Sequence, residues 1–144
     1  MAVMRLTQTL AALALLSFLP ACRSTPFAYH KDPRALGPYS SAVEFDGLVV
    51  LSGKIAASEV RGTSFEAEVE STIDAIENEL RGLGLELADA VSATVYLTDM
   101  GRYGEFNRIY GARFPAPYPA RVCVAVAALP GGAQVEIQVT ARRS

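Results

Sequence analysis

The chain has a single histidine in 144 residues and only two cysteines. One histidine, His30, excludes a histidine-based metal centre and the usual catalytic triads. His30 lies in a polar segment and reads as an exposed linker residue. Basic residues are neither numerous nor clustered: 13 Lys and Arg stand against 15 Asp and Glu, for a net charge of −2. There is no basic aromatic patch, which argues against nucleic acid as a partner. The length allows one domain and not two. The longest apolar run, Leu10 to Leu19, is broken only by Ser17 and is too short to span a bilayer as a mature helix.

That run, with Arg5 before it, has the form of a targeting segment. Leu19-Pro20-Ala21-Cys22 follows and looks like a lipobox. The expectation is a lipoprotein signal peptide over 1–21, with lipid carried on Cys22 as a membrane anchor. An ordinary secretory peptide cut near Ala21, or a cytosolic chain with a misplaced start, are the alternatives. Arg23 rather than an acidic residue follows the cysteine. The preferred destination is therefore the bacterial cell envelope, at the periplasmic face of the outer membrane. Residues 22–35 read as a lipidated tether, polar and proline-bearing. With Cys22 lipidated, Cys123 is the only thiol left, so no intrachain disulfide is expected. Cys123 reads either as a pocket residue or as an inert buried thiol.

The folded domain is expected over 36–144. Ser40 to Phe45 and Leu48 to Ser52 flank Asp46-Gly47, a two-residue hairpin signal. Thr63, with Glu66 three residues on, reads as a capping box opening a helix. Phe65, Val69, Ile73, Ile76, Leu80 and Leu83 give it one apolar stripe, and Gly82 and Gly84 end it. Val91, Ala93, Val95 and Leu97 alternate with polar partners as a half-buried strand. Arg102 to Phe114 reads as a second helix with Tyr103, Phe106, Ile109 or Tyr110, and Phe114 inward. Pro115, Pro117 and Pro119 forbid its continuation. Two strands follow, joined by Pro130-Gly131-Gly132. The order is β-β-α-β-α-β-β, an α+β fold with both helices on one face of the sheet.

In the last two strands Val122, Val124 and Val126 alternate, as do Val135, Ile137 and Val139. Taking these as the core sets Arg121 and Glu136 together on the other face, with Tyr96, Cys123 and Gln138. Such a mixed face suits an oligomer surface. Arg121 and Glu136 read either as a salt bridge or as a site. As a site, the guanidinium grips a small carboxylate and the carboxylate holds or deprotonates a water.

Five segments decide between these. Leu36-Gly37-Pro38-Tyr39-Ser40, Leu51-Ser52-Gly53-Lys54-Ile55, Phe106-Asn107-Arg108-Ile109-Tyr110, Pro119-Ala120-Arg121-Val122-Cys123 and Val135-Glu136-Ile137 together resemble the Rid family of reactive intermediate deaminases, also called YjgF-type proteins. The resemblance runs from about Leu36 to Arg142. It implies a chorismate-mutase-like α+β fold with a mixed sheet, assembled as a homotrimer with clefts between neighbouring subunits. It implies hydrolysis of small imines or enamines of 2-oxo acids, such as 2-iminopropanoate and 2-iminobutanoate, to the 2-oxo acid and ammonia, without cofactor or metal. Arg121 and Glu136 are then the catalytic pair. Tyr39, Ser52, Gly53, Asn107 and Cys123 are substrate-binding. Two positions depart from the family pattern: Ser41 and Lys54 stand where glutamines are usual, and Lys54 is expected to bring a charge near the cleft. A non-enzymatic trimeric module that binds small carboxylates or acts like a chaperone is the rival reading. It would need Arg121 but not Glu136.

Overall fold

The computed structural model describes residues 26–33 and 35–143. The leader and Cys22 lie outside the described residues. Six strands form one sheet: β1 Ala28–His30, β2 Ala42–Phe45, β3 Leu48–Leu51, β4 Ala90–Leu97, β5 Ala120–Ala125 and β6 Val135–Arg142. Two helices, α1 Phe65–Gly82 and α2 Tyr103–Arg113, complete the framework. The strand order is β1-β2-β3-β6-β4-β5. Only β4 and β5 pair in parallel, and α2 is the crossover between them. The fold is α+β, as the hydrophobic patterning predicts, with one strand more than expected.

The extra strand is β1. The segment read as tether pairs with β2, with Tyr29 opposite Val43 and His30 opposite Ala42. His30 is therefore a half-buried strand residue, not an exposed linker one; its Nε2 lies 3.9 Å from Glu44. The β2–β3 hairpin turns on Asp46 and Gly47, with φ of 48° and 76°. Two left-handed residues in succession give the turn whose twist matches the flanking strands.

Ser64, not Thr63, caps α1: its hydroxyl accepts from the Ala67 N–H at 3.1 Å. The stripe Phe65, Val69, Ile73, Ile76 and Leu80 is buried against the sheet. Glu68 is buried beside it. Its carboxylate accepts from the Gly62 N–H at 2.7 Å, and from the Gln134 N–H and amide at 2.8 Å each. Burial disfavours the charge, but the Gln134 and Gly62 hydrogen bonds and nearby Arg61 outweigh it and hold the Glu68 pKa below the usual range. Arg113 ties α2 to α1 through Glu70, Asp74 and Glu77.

Both helices lie on one face. On β4, Ala93, Val95 and Leu97 point toward them. Val91 does not: a bulge between Ala90 and Ser92 turns Ala90 inward and leaves Val91 exposed. On β6, Val135, Ile137, Val139 and Ala141 are buried on the same side.

Strand β5 overturns the expected phase. Arg121 is level with Ala93 and Cys123 with Val95, so both face the helices. Val122 and Val124 face away and are 57% and 40% exposed. Glu136 and Val124 both align with Tyr96 on the open face. Arg121 and Glu136 thus stand on opposite faces of the sheet. The open face keeps Tyr96, Glu136 and Gln138 as expected, but loses Arg121 and Cys123 and gains Val122 and Val124. Toward the other edge it carries Val43, Val50 and the exposed Tyr29. Exposed Phe27 stacks beside it, 5.3 Å from Phe45.

Candidate functional site

The site residues fall into two groups. The first is built by α2 and edge strand β5. Tyr103, Asn107 and Tyr110 recur at i, i+4 and i+7, so they line one face of α2. That face meets Arg121. The Arg121 Nη2 donates to Asn107 Oδ1 at 2.6 Å and to the Tyr103 hydroxyl at 3.4 Å. Its guanidinium carbon lies 4.6 Å from the Tyr110 ring centroid and 5.3 Å from that of Phe106. An aromatic bed of this kind attracts the cation and fixes its plane. A cavity of about 430 Å³ opens in front, walled by Tyr103, Asn107, Tyr110, Tyr118, Arg121 and Cys123. Tyr103 is 40% exposed at its mouth, not turned into the core.

Cys123 is half-buried in this cavity. Burial pushes its thiol pKa up, and the opposing pull of Arg121 is smaller. It is a neutral wall, not an activated nucleophile. The Tyr110 hydroxyl is buried without a hydrogen-bond partner among the described residues. Burial pushes its pKa up to about 12 against the pull of Arg121, so the phenol stays protonated.

The second group surrounds Glu136, on the open face of β6. The turn after β3 is pinned to β6 by paired bonds, Lys54 N–H to Ile137 O at 2.9 Å and Ile137 N–H to Lys54 O at 3.0 Å. This brings Gly53 under the Glu136 side chain. A Cβ on Gly53 would stand 2.8 Å from the Glu136 Cδ and collide with the carboxylate. Glycine is required here for close approach. Ser52 donates its hydroxyl to Ser40 O at 2.6 Å, which fixes the turn from below. Tyr39 is exposed, not a core tyrosine, and its hydroxyl accepts from the Leu36 N–H at 3.2 Å. Tyr39, Ser52, Gly53 and Glu136 line a cavity of about 450 Å³ with Leu36, Ile55 and Pro130.

Burial raises the Glu136 pKa above the ordinary 4.5. No cation pairs with its carboxylate among the described residues. A carboxylate left unpaired and made more basic is suited to accept a proton from water. Lys54, beside Tyr39 and Gly53, does not pair with Glu136. Its ammonium turns to α1 and pairs with Glu79 at 3.2 Å. Ser41 is buried and braces β1 through its hydroxyl to His30 O at 3.3 Å. No group of three or more His, Cys, Asp or Glu able to hold a metal occurs among the described residues.

One chain therefore brings Arg121, Asn107 and Cys123 together, and separately Tyr39, Ser52, Gly53 and Glu136. Tyr118 and the ring role of Tyr110 escaped the sequence reading. The α2 spacing Tyr103-Asn107-Tyr110 was the available signal for the latter.

The α+β domain thus holds a cavity walled by Arg121 on one sheet face and the half-buried Glu136 carboxyl on the other. Residues 29–143 match the family model described as Endoribonuclease L-PSP, the YjgF/RidA domain. The chain belongs to this family. It is 37% identical over 115 residues to the 2-iminobutanoate/2-iminopropanoate deaminase of Mus musculus, covering 77% of this chain and 85% of that protein. It is equally identical over 115 residues to the chloroplastic Reactive Intermediate Deaminase A of Arabidopsis thaliana, covering 77% and 62%. The crystal structure of RidA from an Antarctic Psychrobacter superposes with a TM-score of 0.72 at 35% identity, covering 78% and 94%.

Proposed function

We propose that this protein hydrolyses small imines and enamines of 2-oxo acids, of the 2-iminopropanoate type, to the 2-oxo acid and ammonia. The observation that carries the reading is the division of the site. Arg121 sits on β5, the last strand at one edge of the sheet, while Glu136 lies on the open face near exposed Val122 and Val124. A homotrimer that covers the open faces would set Arg121 of one copy beside Glu136 of the next. Each cleft would then hold both an anion clamp and a base.

In that cleft Arg121 binds the substrate carboxylate. Its Nη2 is already held by Asn107 and Tyr103, which leaves the Nη1 N–H groups to donate to the ligand. Glu136 holds a water against the imine carbon and takes its proton as the C–O bond forms. That proton passes to the nitrogen to give a carbinolamine; Glu136 then moves the carbinolamine hydroxyl proton to the same nitrogen, the C–N bond breaks as the C=O bond forms, and ammonia leaves. The imine is intrinsically labile, so positioning and one base suffice.

The names of the deaminases from mouse and Arabidopsis support this chemistry. An RNA substrate fits less well. Arg102, Arg108 and Arg113 along α2 are each paired with acidic side chains, whereas an RNA backbone needs a row of free cations. Semicarbazide competition on freshly generated 2-iminopropanoate tests the reading. Faster disappearance of imine with protein supports it; an unchanged rate leaves the carboxylate-binding module ahead. We also read Cys22 as lipid-bearing. Labelled palmitate should enter the chain and be lost in Cys22→Ser; equal labelling of both would refute the anchor.

A further inference from the structure

We infer that Tyr103 is a second ligand to the substrate carboxylate, completing the clamp that Arg121 begins. The inference rests on the proposed binding of a 2-oxo or 2-imino acid at Arg121. Tyr103 and Asn107 stand one turn apart on α2, and both oxygens receive the same Arg121 Nη2, at 3.4 Å and 2.6 Å. The two oxygens differ chemically. The Asn107 Oδ1 is an acceptor and has no proton to pass on. The Tyr103 hydroxyl accepts from Arg121 and still has its own proton to donate. Tyr103 is 40% exposed and lines the cavity in front of the guanidinium, so that proton can point to the space an anion would fill.

The other phenols are less suited. The Tyr110 hydroxyl is buried away from solvent. The Tyr118 hydroxyl is directed to Gly111 O at 3.4 Å. A carboxylate docked on Arg121 thus meets the guanidinium and one phenol. The arrangement favours ligands that accept from both, and 2-oxo and 2-imino acids do so through the carboxylate. Because Nη2 binds the phenol oxygen, the Arg121 cation also polarises the O–H and strengthens its donation.

The test is calorimetric titration with 2-oxobutanoate of the wild type, Tyr103→Phe and Arg121→Ala, with thermal melting as a control. Tyr103→Phe keeps the ring and removes only the hydroxyl. It should weaken binding about tenfold, as expected for one hydrogen bond to a charged group, without changing the melting temperature. Arg121→Ala should weaken it more. Unchanged or tighter binding by Tyr103→Phe, with Arg121→Ala impaired, overturns the inference and leaves the proposed function standing. Normal binding by Arg121→Ala overturns both.

Discussion

Arg121 and Glu136 stand on opposite faces of one sheet, on the two strands that flank β4. Arg121 is level with buried Ala93, and Glu136 with half-buried Tyr96. A single chain cannot present both to one small substrate. Each half nevertheless has what the other lacks: a held cation in one, an unpaired carboxyl of raised pKa in the other.

Substitutions in the two halves should therefore fail differently. Arg121→Ala should lose affinity for 2-oxo acids of order 30-fold or more, since truncating one partner of a charged pair costs about 2–5 kcal/mol. Glu136→Gln should keep most of that affinity and lose roughly 100-fold or more in turnover. The wild-type rate should fall as pH drops through the Glu136 pKa, because only the ionised form accepts a proton. Burial sets that acid limb above the ordinary glutamate value. Calorimetry and pH profiles of kcat/KM check both statements; a limb unchanged in Glu136→Gln would assign the base elsewhere.

Gly53→Ala should act on Glu136. The added methyl enters the space of the carboxylate, while the backbone there is not left-handed. Turnover should drop by roughly tenfold or more as the base is displaced, with carboxylate affinity near normal. Imine assays beside ligand titration decide this, and full turnover would mean that Glu136 has freedom the packing denies it.

Glu68→Gln should destabilise the domain by about 2–3 kcal/mol, because an amide N–H₂ would face the donors of Gln134 or Gly62. Glu68 is held ionised in the fold, with its pKa lowered. Its stabilisation is present above the unfolded-state pKa and is lost as pH falls through the lower folded one. Denaturant midpoints for both proteins should converge at acid pH. A constant gap down to that range would contradict the account of this carboxylate.

Much of the fold was legible from local pattern. The stripe Phe65-Val69-Ile73-Ile76-Leu80 and the Asp46-Gly47 turn each have one structural solution. The phase of β5 was not. Arg121-Val122-Cys123-Val124 alternates cleanly, but a period of two names two faces and not which one is the core. Choosing the valines as core is the ordinary inference, and it fails here because they face an uncovered sheet surface. Glu68 sat inside the apolar stripe of α1, where its partners, at Gly62 and Gln134, are visible only in three dimensions. Strand β1 is three residues long in a polar segment, below what periodicity can resolve.

The exposed valines have their own consequence. Val122→Asp with Val124→Asp should leave the isolated fold intact, since both side chains already face outward. It should dissociate a trimer by placing charges in an apolar contact. Light scattering at micromolar concentration should give a monomer without imine hydrolysis. A trimer that persists would move the interface elsewhere.

The shared cleft is tested most directly by mixing two inactive variants. Arg121→Ala and Glu136→Gln, co-expressed with different tags and purified as mixed trimers, should recover activity that neither has alone. Each mixed trimer should regain about one third of its clefts, since a cleft needs an intact Arg121 from one subunit and an intact Glu136 from its neighbour. Mixed trimers as inactive as the parents would contradict a site divided between subunits.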